Sequence, residues 1–343
     1  ELEGQLSFGS TSLGWIQPIE IEHVTLLDDE GRTLAKCGHI ESSYSLLDLL
    51  LEPSDLGTWK IERSKLEIHY GPGTSNLQTL LDKFASDEQS AAMNFALELT
   101  DAEVKLIETA TLSEDVYRIP TLRYAEDRTA RQTLEGTLQA VAETIDQQNQ
   151  LKFACEVSPT LGGTLLAERF PLNQFQPALV WSERSESVEG VLDGEWTLGS
   201  ASLEEAPRYQ GSGGVTGLKI QRGAESLLDL ETVSLQLASD MQADGLHVSE
   251  LVCATDFGSL KLNGELVLPV AAVDAESAGL VEHLLSQTFE LAGRADLAVL
   301  SRRFPGLVTL QEGVELSRGE CQFLARSQPA GDRRVLQSSL TVT

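Results

Sequence analysis

Leu260-Lys261-Leu262-Asn263-Gly264-Glu265-Leu266-Val267-Leu268 decides the fold. Leu260, Leu262, Leu266 and Leu268 alternate with Lys261, Asn263, Glu265 and Val267. Successive side chains of a strand point to opposite faces, so this pattern describes a strand with one dry face and one wet face. The same beat runs through Leu66-Glu67-Ile68-His69-Tyr70 and Gly190-Val191-Leu192-Asp193-Gly194-Glu195-Trp196. Gly, Asp, Asn or Pro breaks most of the bursts, which marks turns. Bursts of strand length recur almost from end to end of the 343 residues and predict a mainly β chain built from antiparallel hairpins.

Working outward, residues 1–70 read as strands with one short helical insert at Ser45–Leu51, stopped by Pro53. Strands are expected at 19–26, 33–40, 59–62 and 65–70, then at 94–100, 103–110, 115–124, 131–142, 151–157 and 163–168. Ser75 can cap a helix to about Ser86, with Leu77, Leu80, Leu81 and Phe84 on one face. Residues 171–181 read as irregular or briefly helical, and strands resume from 188 to about 268, with turns near Gly213-Gly214 and Asp244-Gly245. Helices are expected near 274–289 and 296–304, and the last strands at 307–316, 319–326 and 333–342. No linker or low-complexity tract divides the sequence, so one continuous segment over 1–343 is expected. The chain opens on Glu1 and closes on a strand-like run, and both ends read as cuts from a longer polypeptide.

The balance of 25 Lys and Arg against 53 Asp and Glu gives a formal charge of −28. Such a surface repels nucleic acid, which argues against a DNA or RNA partner. Cys37, Cys155, Cys253 and Cys321 stand alone, too sparse for a disulfide scaffold, and read as small inner-face hydrophobes. The strands also lack the aromatic girdles of an outer-membrane barrel.

Residues that carry chemistry are hard to find. Asp28-Asp29-Glu30 and Glu204-Glu205 are acid pairs beside turns, where acids are expected anyway. The histidines form no HExxH pair, and Cys37-x-His39 offers only two neighbouring ligand types. Gly211-Ser212-Gly213-Gly214-Val215-Thr216-Gly217 lacks the Walker lysine and fails GxGxxG, so it reads as a turn. Gly-Ser-Thr-Ser-Leu-Gly at 9–14 is not a nucleophile elbow. The expectation is a non-enzyme with no metal and no cofactor.

The first ~82 residues carry a longer pattern. It runs Leu6-Ser7-Phe8-Gly9, Ile19-Glu20-Ile21, Val24-Thr25-Leu26-Leu27-Asp28-Asp29-Glu30-Gly31, Leu34-Ala35, Ile40 and Ser45-Leu46-Leu47-Asp48-Leu49-Leu50. Leu56-Gly57-Thr58-Trp59-Lys60-Ile61-Glu62, Leu66-Glu67-Ile68, Ser75-Asn76-Leu77 and Leu80-Leu81 follow. This resembles the AsmA-like family of bacterial envelope proteins, which includes the TamB-type proteins. Phe289-Glu290-Leu291-Ala292-Gly293-Arg294-Ala295-Asp296-Leu297-Ala298 echoes a further element of the same proteins.

The resemblance implies a long curved antiparallel sheet forming an open, taco-like groove with a few short helices. It divides the chain into an N-terminal AsmA-like unit over 1–90 and a groove extension over 91–343. It further implies a periplasmic location, anchored to the inner membrane through a segment not present here. The function implied is transfer of phospholipid acyl chains between inner and outer membrane. The alternative is an envelope structural or assembly factor, acting on outer-membrane protein partners without conducting lipid. A third reading, a carbohydrate-active or adhesive β-solenoid, requires a closed coil and a carboxylate-lined cleft. Exposing an acyl chain to water costs about 0.8 kcal/mol per CH₂, and a trough of Leu and Val removes that cost without a specific pocket. The candidate lining residues lie on the apolar side of the central strands: Leu228, Leu230, Val233, Leu235, Leu237, Leu246, Val248, Leu260, Leu262, Leu266 and Leu268. The alternation changes phase between Leu230 and Val233, which predicts a bulge.

Overall fold

The structure is a computed structural model that describes residues 6–84, 93–127, 129, 131–140, 149–157, 161–200, 208–242, 245–268, 287–303, 316–330 and 333–343. The chain is mainly β, with a few short helices. Its contacts separate into two units, one of Glu1–Val188 with Arg222–Ala224 and one of Glu189–Gln221 with Glu225–Thr343.

The first unit opens with β1 (Leu6–Ser7), β2 (Ser10–Ser12), β3 (Glu20–Leu27) and β4 (Thr33–Ser42). Then come α1 (Leu46–Leu51), β5 (Asp55–Gly71), β6 (Thr74–Ser75) and α2 (Asn76–Phe84). It continues through β7 (Asn94–Glu108), β8 (Glu114–Glu126), β9 (Gln132–Ala140), β10 (Gln150–Val157) and β11 (Leu161–Pro171), and ends with a 3-10 turn (Leu172–Phe175) and α3 (Gln176–Trp181). β1 and β2 both pair with β3, and β4, β5, β7, β8, β9, β10 and β11 follow in order across the sheet. No described pairing joins β11 back to β1 or β2, so the described sheet of this unit is open. Among the described pairings one departs from the antiparallel expectation: β5 and β7 run parallel. Parallel neighbours need a crossover, and the chain between Gly71 and Asn94, which holds α2, supplies it.

Local chemistry sets the helix starts. Ser45 and Asp48 form a reciprocal capping box on α1. Ser75 accepts from the Gln78 amide at 3.1 Å to start α2. The 3-10 turn and α3 pack at one end of the strands: Tyr117 Oη donates to the Gln174 carbonyl at 2.6 Å, and the Gly73 amide donates to Trp181 O at 2.8 Å. The Phe170 and Phe175 rings meet there, 5.3 Å apart. Tyr70, Tyr117, Ala140, Leu151, Ala167 and Phe170 form much of the buried core. Burial raises the Tyr70 hydroxyl to about 12, helped by the Asp115 and Glu108 carboxylates.

β5 and β7 each replace two strands that the sequence reading separated. Each break is a left-handed residue inside one long strand. His23, Arg63 and Asp101 have φ of 53°, 52° and 51°. The registers place Gly38 against Arg63, and Asp101 falls between the pairs Thr100–Thr121 and Ala102–Ile119, opposite Pro120. The irregular positions therefore line up across β3, β4, β5, β7 and β8. On each side of this line the alternation shifts by one, so Ile61 and Leu66 keep the same face although Glu62, Arg63, Ser64 and Lys65 lie between them. A bulge bends its strand and tightens the twist, and here the bends fall at one level in neighbouring strands.

The second unit contains most of β12 (Glu186–Ser200) and β13 (Arg208–Arg222), then β14 (Glu225–Gln242), β15 (Gly245–Thr255) and β16 (Gly258–Leu268). β17 (Phe289–Asp296), α4 (Leu297–Arg303), β18 (Glu320–Ala330) and β19 (Arg333–Val342) complete it. From β14 to β19 each strand pairs antiparallel with the next. Asp296 Oδ1 caps α4 by accepting from the Ala298 and Val299 amides at 2.9 and 3.0 Å. The helix expected near 274–289 and the strand expected at 307–316 fall largely outside the described residues; Phe289 itself opens β17.

The glycine-rich run 211–217 is corrected: it lies inside β13 and is not a turn. Gly194, Gly211 and Gly213 surround the Trp196 ring, and a Cβ at Gly211 would stand 2.2 Å from Trp196 Cδ1. The glycines make room for an indole on the sheet surface.

Candidate functional site

Antiparallel partners share a face, so the registers give the composition of each face directly. In the second unit one row crosses six strands through Leu235, Cys253, Leu260, Gly293, Phe323 and Leu340. The next row is Leu237, Leu251, Leu262, Leu291, Ala325 and Ser338. The opposite face carries Ala238, Glu250, Asn263, Glu290, Arg326 and Gln337 in one row, and Ser234, Ala254, Ser259, Arg294, Gln322 and Thr341 in another. Glu290 and Arg326 form an ion pair on that polar face. The row between these two, Gln236, Val252, Lys261, Ala292, Leu324 and Ser339, is mixed, so the first face is mostly hydrocarbon and the second mostly polar.

The apolar face is not sealed. Leu262 is 1% exposed, yet Leu235 is 36% and Leu340 68% exposed. Cys253, Leu260, Leu291 and Phe323 are half-buried. Gly293 lies beneath Phe323, where a Cβ would come within 2.3 Å of the ring.

Most of the candidate lining residues meet on this face. Val233, Leu235 and Leu237 of β14 join Leu260 and Leu262 of β16 through β15. Val248 pairs with Leu266 and with Ser239, beyond a bulge at Ser249. Leu246 pairs with Leu268 in the backbone register. Leu228 and Leu230 do not enter the described β14–β15 pairing. Glu231 and Thr232 are both exposed between buried Leu230 and half-buried Val233, so the phase of the strand changes there. Sequence reading placed Cys253 on an inner face but did not nominate Leu251, Leu291, Phe323 and Leu340; Leu340 stands between polar neighbours, whereas Val252, Ala292 and Leu324 beside the other three blur the alternation.

The first unit repeats the arrangement by itself. Ile21, Ile40, Ile61, Leu99, Leu122, Gly136, Phe153 and Leu165 form one row across eight strands. Its polar face carries Glu20, Glu41, Lys60, Glu98, Arg123 and Glu135 in register, with Arg123 3.7 and 3.8 Å from Glu98 and Glu135. All four cysteines are free thiols, and their register partners put each on an apolar face: Val24 and Ser64 for Cys37, Leu134 for Cys155, Leu260 for Cys253, Ala295 for Cys321. Burial pushes the Cys37 thiol up.

The candidate chemical residues do not converge. The phase shift at Gly38 puts Cys37 with Val24 and Ser64, and His39 with Glu22 and Glu62 on the other face. Asp28 is consumed by its turn, accepting from the Glu30 and Arg32 amides at 3.0 and 2.9 Å and from Arg32 Nε at 2.8 Å. Glu204-Glu205 lies outside the described residues. Among the described residues no group of His, Cys, Asp and Glu is placed to hold a metal, and no helix is long and apolar enough to cross a membrane. Comparison of the sequence with protein-family models and with curated proteins returned no match.

Proposed function

We propose that the chain binds phospholipid acyl chains on the apolar faces of its sheets and passes them along, as a lipid-transfer groove of the bacterial cell envelope working in the periplasm. The observation that carries this reading is the unbroken apolar row from Leu235 to Leu340, half-exposed along its length. Exposed hydrocarbon costs about 25 cal/mol per Å², so a guest that covers this face is held without any directed contact. Hydrocarbon chains fit such a face, and headgroups stay in water. Two acyl chains pay about 0.8 kcal/mol for each CH₂ left wet, and a continuous row lowers that barrier at every step. The resemblance of the first ~82 residues to AsmA-like proteins supports the same reading.

The test is organic extraction of natively purified protein followed by mass spectrometry. Phospholipid in stoichiometric amount is expected, together with loss of reactivity of Cys253 towards an apolar maleimide when lipid is bound. A folded sample that carries no lipid and moves no fluorescent phospholipid between vesicles overturns the proposal.

A further inference from the structure

A second apolar feature lies away from both sheet faces. In the first unit the loop at Leu13-Gly14-Trp15-Ile16 docks on the first turn of α1: the Leu46 amide donates to Gly14 O at 3.2 Å and the Leu47 amide to Trp15 O at 3.1 Å. Leu47, Leu50 and Leu51 stand at i, i+3 and i+4 of α1 and so share one side of the helix. That side faces solvent: Leu50 is 68% and Leu51 70% exposed, beside Trp15 at 65% and Ile16 at 82%. A short helix normally turns its leucines inward and its polar side outward. α1 exposes leucines, and its one acid, Asp48, is folded back on Ser45, accepting from its amide at 2.9 Å and its hydroxyl at 2.7 Å.

We propose that this tip inserts into the interfacial region of a bilayer of zwitterionic lipid. The charge pattern selects the lipid. No Lys or Arg occurs from Ser10 to Gly31 or from Glu41 to Thr58, and the chain carries −28 overall, so anionic headgroups repel it. The area selects a bilayer over a permanent protein partner. The exposed apolar side chains offer roughly 700 Å², short of the about 1,000 Å² or more that each partner of an obligate dimer buries. Insertion needs neither a rim nor shape complementarity; it needs a few large apolar side chains, and an exposed Trp among them suits the headgroup boundary. This inference does not depend on the trough: a chain that carries no lipid still docks through its tip.

The experiment is co-sedimentation of the whole chain with phosphatidylcholine vesicles, with and without phosphatidylglycerol, alongside quenching of Trp fluorescence by brominated acyl chains. Wild type is expected to bind, and added phosphatidylglycerol to weaken binding. Trp15→Phe is expected to keep binding but lose most of the quenching. The triple variant Trp15→Ser, Ile16→Ser, Leu50→Ser, checked for an unchanged circular dichroism spectrum, is expected to lose at least about 30-fold in partition. Four outcomes overturn the proposal: no vesicle binding by wild type, equal binding by the triple variant, full quenching retained in Trp15→Phe, or a wild-type dimer that the triple variant dissolves. The last assigns the tip to a second copy of the chain. None of these readouts involves extraction or transfer of lipid, so the trough reading stands or falls separately.

Discussion

Gly293→Ala tests whether the apolar face of the second unit is built as described. Gly293 pairs with Leu260 on one side and Phe323 on the other. An added methyl would sit 2.3 Å from Phe323 Cε1, 2.5 Å from Cζ and 3.0 Å from the Ser259 carbonyl oxygen. Carbon atoms in contact settle at about 3.5–4.0 Å, so the ring must retreat by more than about 1 Å. Overpacking of this kind costs about 1–3 kcal/mol. Alanine recovers roughly 0.5–1 kcal/mol of backbone entropy relative to glycine, which leaves a net loss of about 0–2.5 kcal/mol. Phe323→Ala removes the obstacle. In that background Gly293→Ala is expected to be neutral or stabilising by up to about 1 kcal/mol, a coupling of about 1–3 kcal/mol. Urea unfolding of the four chains, followed by far-ultraviolet circular dichroism, measures the cycle. Additive effects would refute the claim that the ring rests on the glycine.

Three further predictions follow from the same geometry. Asp101, at φ 51°, sits in a conformation that costs a side-chain-bearing residue about 1–2 kcal/mol, so Asp101→Gly is expected to leave the urea midpoint unchanged or higher and Asp101→Val to lower it. Burial pushes the Asp28 carboxyl up, but the Arg32 side chain and amide and the Asn76 amide outweigh it and hold it below 3.8. That stability is present above the unfolded value and lost as pH falls through the folded one, so Asp28→Asn should lower the midpoint at pH 7, with the gap closing below about pH 4. Asp115 has the opposite sign: burial, then Glu108, raises its carboxyl, so its charged form costs stability at pH 7. Asp115→Asn should raise the midpoint at pH 7 and gain nothing at pH 3; equal gains at both would dismiss the burial argument.

The strands were legible because a period of two survives in single residues: Glu320 to Ser327 alternates wet and dry without a fault. The helix starts at Ser45, Ser75 and Asp296 were legible too, Ser75 as a cap, because the signals of a helix start are local. Strand continuity across the bulges was not. Glu62-Arg63 and Thr100-Asp101 each set two polar residues in succession, which looks like a strand ending, and only the neighbouring strand keeps the ladder going. The parallel step from β5 to β7 was hidden for a related reason: pairing direction is a long-range property that alternation does not encode. Gly211 to Gly217 was misread because glycine signals turns by default, and its partner here, Trp196, lies on another strand. The apolar rows were half legible. The leucines of β14 to β16 could be nominated one strand at a time, but which of them align depends on the register and on the bulge at Ser249.

The glycines give the proposed lipid-binding surface a shape that suits a guest without fixed form. Phe153 and Leu122 lie over Gly136, Trp196 over Gly194, Gly211 and Gly213, and Phe323 over Gly293. In each case a large side chain occupies the space a neighbouring Cβ would have taken. A ring that lies down over glycine covers backbone and fills its own hollow, so the face keeps low relief where a standing ring would make a ridge. Such a ring over glycine also pins strand register in an ordinary sheet, and a protein second layer interdigitates with the ridges that remain. An acyl chain has no ridges to match. It gains contact from a smooth floor and loses it at every step. The same device in both units, on rows that stay half-exposed, is what a sheet needs if its apolar face is to be covered by something that slides. It also separates this face from the tip, where Trp15 is 65% exposed.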